Sequence, residues 1–154
     1  MFVYYYVQVD RPMQRAKDIV LGLLHGLSDA ADIAYRQGED LQMRAGVGSK
    51  MVAKTVQLEV GVPIETEDQL IVPLTWQATG TSGLFPRMDA DLIVAPLGSL
   101  HTQIAFRGTY EPPFGALGGM LDRWALHRVA EATVKHFVDR LGAAVIGWPH
   151  SGRA

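Results

Sequence analysis

An α+β fold, in which a mostly antiparallel sheet curls around one long C-terminal helix, is predicted by three observations. Segments of two-residue apolar alternation fill the middle of the chain, with connections too short for helical crossovers. Two short helical stretches follow the first such segment. The chain then closes on a run with few helix breakers, from about Ala116 to Val145, entered through Glu111-Pro112-Pro113-Phe114-Gly115. In such a fold the space between helix and sheet is the natural place for a ligand.

Each element has a local reason. From Phe2 to Val9, Val3, Tyr5, Val7 and Val9 alternate with Tyr4, Tyr6 and Gln8, and the β-branched and aromatic content predicts a strand. Asp10 is placed to cap the next helix, with Pro12 tolerated in its first turn. Ala16, Ile19, Val20, Leu23 and Leu24 recur at helical spacing. Gly26 breaks that run, Ser28 is a second candidate cap, and the second helix is expected to end near Gln37 with Gly38 as terminator. From Leu41 the period changes to two: Leu41 and Met43 read as a short strand, and Gly46, Gly48 and Ser49 as a turn. Val52, Val56, Leu58 and Val60 share a strand face that Lys54 interrupts. Pro63 to Asp68 reads as a turn region. Leu70, Val72, Leu74, Trp76 and Ala78 form the next strand, in which Pro73 must face an edge or a bulge because it lacks an amide donor. After a loop from Gly80 to Met88, strands are expected at about Asp89–Pro96 and Thr102–Tyr110.

The composition fits one soluble domain, expected over residues 1–146, with 147–154 as a flexible tail. A chain of 154 residues is long enough to bury roughly 68–70% of its unfolded surface. The net charge of −2 gives no electrostatic case for nucleic acid, which usually needs a basic face. No apolar run approaches the ~18 residues of a membrane span, and the N-terminus lacks the basic region and cleavage site of a signal peptide. With no cysteine there is no disulfide, thiolate metal site or cysteine nucleophile. A cytoplasmic location is expected, with no transmembrane segment, no nucleic-acid partner, no cofactor and no metal. A homodimer is one open assembly.

The long helix changes face along its length. Leu117, Met120, Leu121, Trp124 and Ala125 fall on one stripe, whereas Val134, Phe137, Val138, Leu141 and Val145 fall on another. Arg128, Glu131, Lys135 and Asp139 occupy the direction taken earlier by Leu117, Leu121 and Trp124. Either these charges form a solvated face, or Arg128 and Glu131 continue the inward stripe into a cavity. An inward Arg128 would need a carboxylate or an anionic ligand, since a buried ion costs several kcal/mol unless paired.

This element order resembles the helix-grip, START-like superfamily called SRPBCC, which includes Bet v 1-type allergens, polyketide cyclases and lipid-transfer domains. The resemblance spans Phe2 to about Leu141. Its local matches are Val72-Pro73-Leu74-Thr75-Trp76, Leu84-Phe85-Pro86 and Gly108 to Gly118, the last similar to a stretch of uncharacterised bacterial members. It implies a cavity for apolar or amphipathic small molecules, and it carries over no catalytic residue.

The candidate ligand-binding residues are Lys54, Trp76, Leu84, Phe85, Phe106, Tyr110, Leu121, Trp124, Arg128 and Glu131. Lys54 is either a strand-end lysine with its stem on apolar surface or a cation at the mouth that pairs a ligand carboxylate or phosphate. Trp76, Phe106, Tyr110 and Trp124 are either ordinary core or cavity wall, and Tyr110 also offers a hydroxyl. Leu84 and Phe85 either plug the core or gate the entrance. His127 reads as a helix-surface residue, and no histidine lies at metal-ligand spacing with another. Gly46-Val47-Gly48-Ser49-Lys50 lacks the spacing of a phosphate loop and reads as a turn.

The absence of a nucleophile–base pair favours a non-catalytic protein that binds or carries a hydrophobic small molecule, lipid or polyketide-like. One alternative is a cyclase or dehydratase-type enzyme using Tyr110, Arg128, Glu131 and Lys54. Another is a co-chaperone-like interaction module, for which Tyr4 and Tyr6 would seed an exposed apolar patch.

Overall fold

The alternation of Val3, Tyr5, Val7 and Val9 builds β1 (Phe2–Val9), and the chain then forms α1 (Met13–Leu23), a short 3-10 turn (Leu24–Gly26) and α2 (Leu27–Arg44). Among the described residues five strands follow: β2 (Thr55–Val60), β3 (Ile64–Glu65), β4 (Leu70–Thr79), β5 (Met88–Pro96) and β6 (Thr102–Tyr110). The chain closes on α3 (Arg123–Gly147). The computed structural model describes residues 1–44, 55–79, 87–110 and 123–149, the side chains at 38–44, 55–56, 78–79 and 123–126 excepted. The turn expected at Gly46–Lys50 lies outside the described residues.

The sheet is antiparallel and curved, in the order β1-β6-β5-β4-β2, with β3 also on β4. The alternation fixes which face is buried. Val72, Leu74 and Trp76 of β4, Leu92 and Val94 of β5, and Ile104 and Phe106 of β6 are all buried on the inner face. Val134, Phe137, Val138, Leu141 and Val145 of α3 complete the core, on the stripe that their spacing predicts. Trp76, Phe106 and Phe137 meet edge-to-face, with centroids 5.5 to 6.3 Å apart.

Pro73 shows how one residue shapes an edge. Its carbonyl accepts the amide of Gly61 at 2.8 Å, so its backbone faces the β2–β3 side. β2 ends at Val60 opposite Leu74, and β3 opens at Ile64 opposite Ile71. Pro73 therefore sits at the break between them, where no partner calls on an amide proton. A Cβ on Gly61 would lie 3.1 Å from that of Pro73, which accounts for the glycine.

Four local expectations are corrected. Asp10 does not cap α1: Pro12 holds the cap position with no side-chain bond, and the Asp10 carboxylate lies 3.2 Å from His101 Nε2. Ser28 does not cap α2 but donates to the Leu58 carbonyl at 3.1 Å, tying α2 to β2. Gly38 does not end α2, and Leu41 and Met43 are helical. The physical reason is continued spacing. Leu27, Ala31, Ala34 and Tyr35 are buried, Gly38 and Leu41 extend that period, and packing on α3 and β2 offsets the ~1 kcal/mol that a helical glycine costs. Finally, the turn expected over Pro63–Asp68 contains the two-residue β3, closed by Thr66, whose amide donates to the Gln69 carbonyl at 2.9 Å.

The C-terminal end of α3 is tied to the start of α1. Arg11 donates to the Ile146 carbonyl at 2.7 Å and Arg15 to the Pro149 carbonyl at 2.9 Å, placing cations on the negative end of the helix. Along its flank α3 meets β1 through a polar cluster. Tyr5 donates to Asp139 at 2.8 Å, Lys135 donates to the same carboxylate at 2.6 Å, and its ammonium sits 5.5 Å from the Tyr5 ring centroid.

This cluster makes a pH prediction. Burial pushes the Asp139 carboxyl up, but the bonds from Lys135 and Tyr5 outweigh it and hold the group below its ordinary value of 3.8. Its contribution is therefore complete above pH 3.8 and lost as the pH falls below it. Burial, then Asp139, raises Tyr5 above 10.0, and the bond to Asp139 raises Lys135 above 10.5. Both of those contributions are present at neutral pH and lost as the pH rises through the raised values. Asp139→Asn should flatten both limbs of the melting-temperature profile while costing at most ~1 kcal/mol at pH 7. An unchanged acid limb would remove Asp139 from the account.

Candidate functional site

One row of side chains crosses the inner face at the end of the sheet where β6 finishes. Leu58 of β2 pairs with Trp76 of β4, Trp76 with Met88 of β5, and Met88 with Tyr110 of β6. All four are buried. The row is largely apolar, with the Tyr110 hydroxyl and the Trp76 indole N–H as its polar groups, and it is anchored at its β1 side by bonds between the Met1 ammonium and the Tyr110 carbonyl and between the Tyr110 amide and the Met1 carbonyl.

His127 completes the arrangement from the first turns of α3. Its Nδ1 lies 2.8 Å from the Tyr110 hydroxyl, and the two rings stack with centroids 6.1 Å apart and planes 23° apart. Its Nε2 lies 3.2 Å from Glu131 Oε1, one helical turn further on. Tyr110 is 3% exposed, the His127 ring is mostly buried, and the Glu131 side chain is 58% exposed. The three groups thus run from a buried phenol to a solvated carboxylate. Burial first, and the Glu131 charge second, push the Tyr110 hydroxyl up to about 12, so it is a neutral phenol at physiological pH. A phenol joined to an imidazole, itself beside a carboxylate, can orient a bound oxygen or pass a proton.

Among the residues proposed from sequence, Trp76, Phe106 and Tyr110 lie buried on this inner face. Trp76 and Phe106 pack on Phe137, a residue not singled out as a candidate. Lys54, Leu84, Phe85 and Leu121 lie outside the described residues, as does the side chain of Trp124. Neither charge of the inward-stripe alternative is enclosed. Arg128 is exposed, and the exposed Glu131 meets His127 at its carboxylate. An exposed Arg128 keeps its guanidinium in water and so needs no buried partner.

His127 is the residue that sequence reasoning placed wrongly, because it is not a free helix-surface group. The signal was available: at about 100° per residue, His127 falls in the direction of Val134, Val138 and Val145. A polar residue on a buried stripe needs a partner, and Tyr110 supplies it.

The opposite, outer face of the sheet carries an open groove of about 500 Å³ lined by Phe2, Thr75, Asp89, Asp91, Arg107 and Thr109 among others. Its charges are paired within the groove's surroundings, Arg107 with Asp91 at 3.1 Å and Arg87 with Asp89 at 3.2 Å. Beside it Phe2, Tyr4 and Tyr6 form an exposed row, the aromatic patch named in the interaction-module alternative.

Comparison of the sequence with family models and with curated proteins finds no match. Solved structures do match. A conserved protein from Geobacillus kaustophilus superposes with a TM-score of 0.51 at 10% identity, covering 92% of this chain and 93% of its own. The Zhui aromatase/cyclase from Streptomyces sp. R1128 gives 0.47 at 15% identity, covering 96% and 92%. A protein from Arthrobacter aurescens gives 0.47 at 11% identity, covering 98% and 91%. At such identity the likeness to the Geobacillus protein shows a shared fold and nothing of function.

Proposed function

We propose that this protein is a helix-grip member of the START-like type that binds a hydrophobic small molecule, lipid or polyketide-like, between sheet and α3. The ligand lies at the Tyr110 end of the inner face. The observation that supports this most directly is the buried Tyr110 hydroxyl, bonded to the half-buried His127 imidazole at the end of the largely apolar row of Leu58, Trp76 and Met88. Small-molecule sites have this composition, apolar walls with a few orienting polar groups. The strand ends Thr55, Thr79, Met88 and Tyr110 all lie at this same end. They adjoin in sequence the candidates Lys54, Leu84 and Phe85, which belong to the proposal as lining residues together with Leu121 and Trp124. Titration with the neutral apolar dye Nile red should give saturable binding at one site per chain, and organic extraction of purified protein should release a stoichiometric amphipath. Linear, non-saturating fluorescence with an empty extract would sink the reading.

The second reading is an acid–base enzyme of cyclase or dehydratase type, favoured by the Tyr110–His127–Glu131 chain. In that case the wild type would speed the cyclisation or dehydration of a poly-β-ketone thioester, and His127→Gln would abolish the acceleration. Equal rates with and without protein would reject it.

A further inference from the structure

The polarity of the Tyr110–His127–Glu131 chain selects the ligand's head group. Glu131, as a carboxylate, can only accept, and it lies 3.2 Å from His127 Nε2. The ring proton is therefore favoured on Nε2, which leaves Nδ1 with a bare lone pair. Tyr110, 2.8 Å away, must then donate its only proton to Nδ1. With that proton committed, the phenol oxygen offers lone pairs and nothing else to any further group. The assignment follows from the fixed end of the chain, because the carboxylate sets the tautomer and the tautomer sets the phenol.

Resting on the small-molecule reading above, we infer that the site takes a neutral amphipath bearing a hydroxyl or similar donor, which bonds to the Tyr110 oxygen, and that it discriminates against carboxylates. A carboxylate head would set its lone pairs against those of Tyr110 and its charge near that of Glu131. An ether or ester of the same length would bring no donor and so would gain no bond at the Tyr110 oxygen, whose own proton is already spent on His127. This selection runs opposite to the one a cation at position 54 would impose, where an anionic head would win. The two residues thus predict different ligands for one protein.

Competition against Nile red decides between them. Dodecan-1-ol, its methyl ether and dodecanoate share an apolar body and differ in the head. With the wild type at pH 8, the alcohol should displace the dye at about fivefold lower concentration than the ether, the effect of one net hydrogen bond, and dodecanoate should be weaker than the alcohol. Tyr110→Phe should erase the difference between alcohol and ether. The exposed position 131 supplies a variant that leaves the core untouched. In Glu131→Gln the amide can donate to Nε2, the ring proton can move to Nδ1, and the phenol proton is freed toward the ligand. The alcohol-to-ether ratio should then fall toward one. A purely structural Glu131 would leave that ratio alone. Equal displacement by alcohol and ether in the wild type, or strongest displacement by dodecanoate, overturns the inference while leaving the small-molecule reading intact. A dye that never saturates overturns both.

Discussion

Phe137→Ala is expected to lower the unfolding free energy by about 3–5 kcal/mol, a large share of the ~5–15 kcal/mol that holds a domain together. Phe137 is fully buried and is the only helical member of the trio with Trp76 and Phe106. Its ring lies 5.5 Å from that of Trp76 at 78° and 6.0 Å from that of Phe106 at 77°, so truncation removes two edge-to-face pairs as well as the transferred surface. Such pairs add ~0.5–1.5 kcal/mol each beyond burial. The cavity left behind lies between α3 and the middle of the sheet, where strands β4 and β6 are held by their ladders and cannot collapse into it. Phe137→Leu keeps most of the volume and should lose only the pair contribution, ~1–3 kcal/mol for the two pairs. Urea titration followed by tryptophan fluorescence reads both variants, since Trp76 is part of the disturbed cluster. A loss under ~1 kcal/mol for the alanine variant would mean that α3 is not gripped where the trio meets.

That trio also shows what was legible in the sequence. Trp76 and Phe106 lie on strands whose strict alternation fixes the inward face, and Phe137 lies on a helical stripe with four other apolar residues. Long periodic segments such as these carry their own answer. Failures came where a segment was too short to show a period. Leu41 and Met43 alternate over three residues, too short a run to decide between strand and helix, and only the phase of Leu41 with Ala34 favours the helix. Caps were misread for a related reason. Asp10 and Ser28 have the side chains that a cap requires, but each found a partner far away in sequence, His101 and the Leu58 carbonyl, that no local pattern records. Of the Tyr110–His127 pair, the inward direction of Tyr110 is legible because it stands on a strand face. Its partner His127 carries no metal spacing, and only its position on the buried stripe marks it. The exposure of Arg128 depends on how α3 rolls against β1, which the Tyr5–Asp139–Lys135 cluster decides.

Gly108→Val tests the close packing that holds the Tyr110 row in place. Gly108 is on the inner face of β6, two residues before Tyr110 and opposite Ala90. A Cβ there would lie 2.9 Å from Phe106 Cε1, 3.0 Å from Met88 Sδ and 3.3 Å from Ala90 Cβ. Met88 can bend its flexible thioether away, but Phe106 is fully buried against Trp76 and Phe137 and has nowhere to go. Valine adds two further methyl groups to that conflict. Overpacking of this kind costs ~1–3 kcal/mol or more, against which the better strand propensity of valine returns at most ~1 kcal/mol. The net should be a loss of up to ~2 kcal/mol or more in urea, accompanied by weaker dye binding, because Met88 belongs to the row that carries Tyr110. Gly22→Ala is the matched control. It is a helical glycine with nothing within 4 Å of an added Cβ, so alanine there should stabilise by up to ~1 kcal/mol. If Gly108→Val melts with the native protein while Gly22→Ala gains as expected, the inner face beside Phe106 has room that its contacts deny, and the rigid apolar wall on which the binding site is argued is not there.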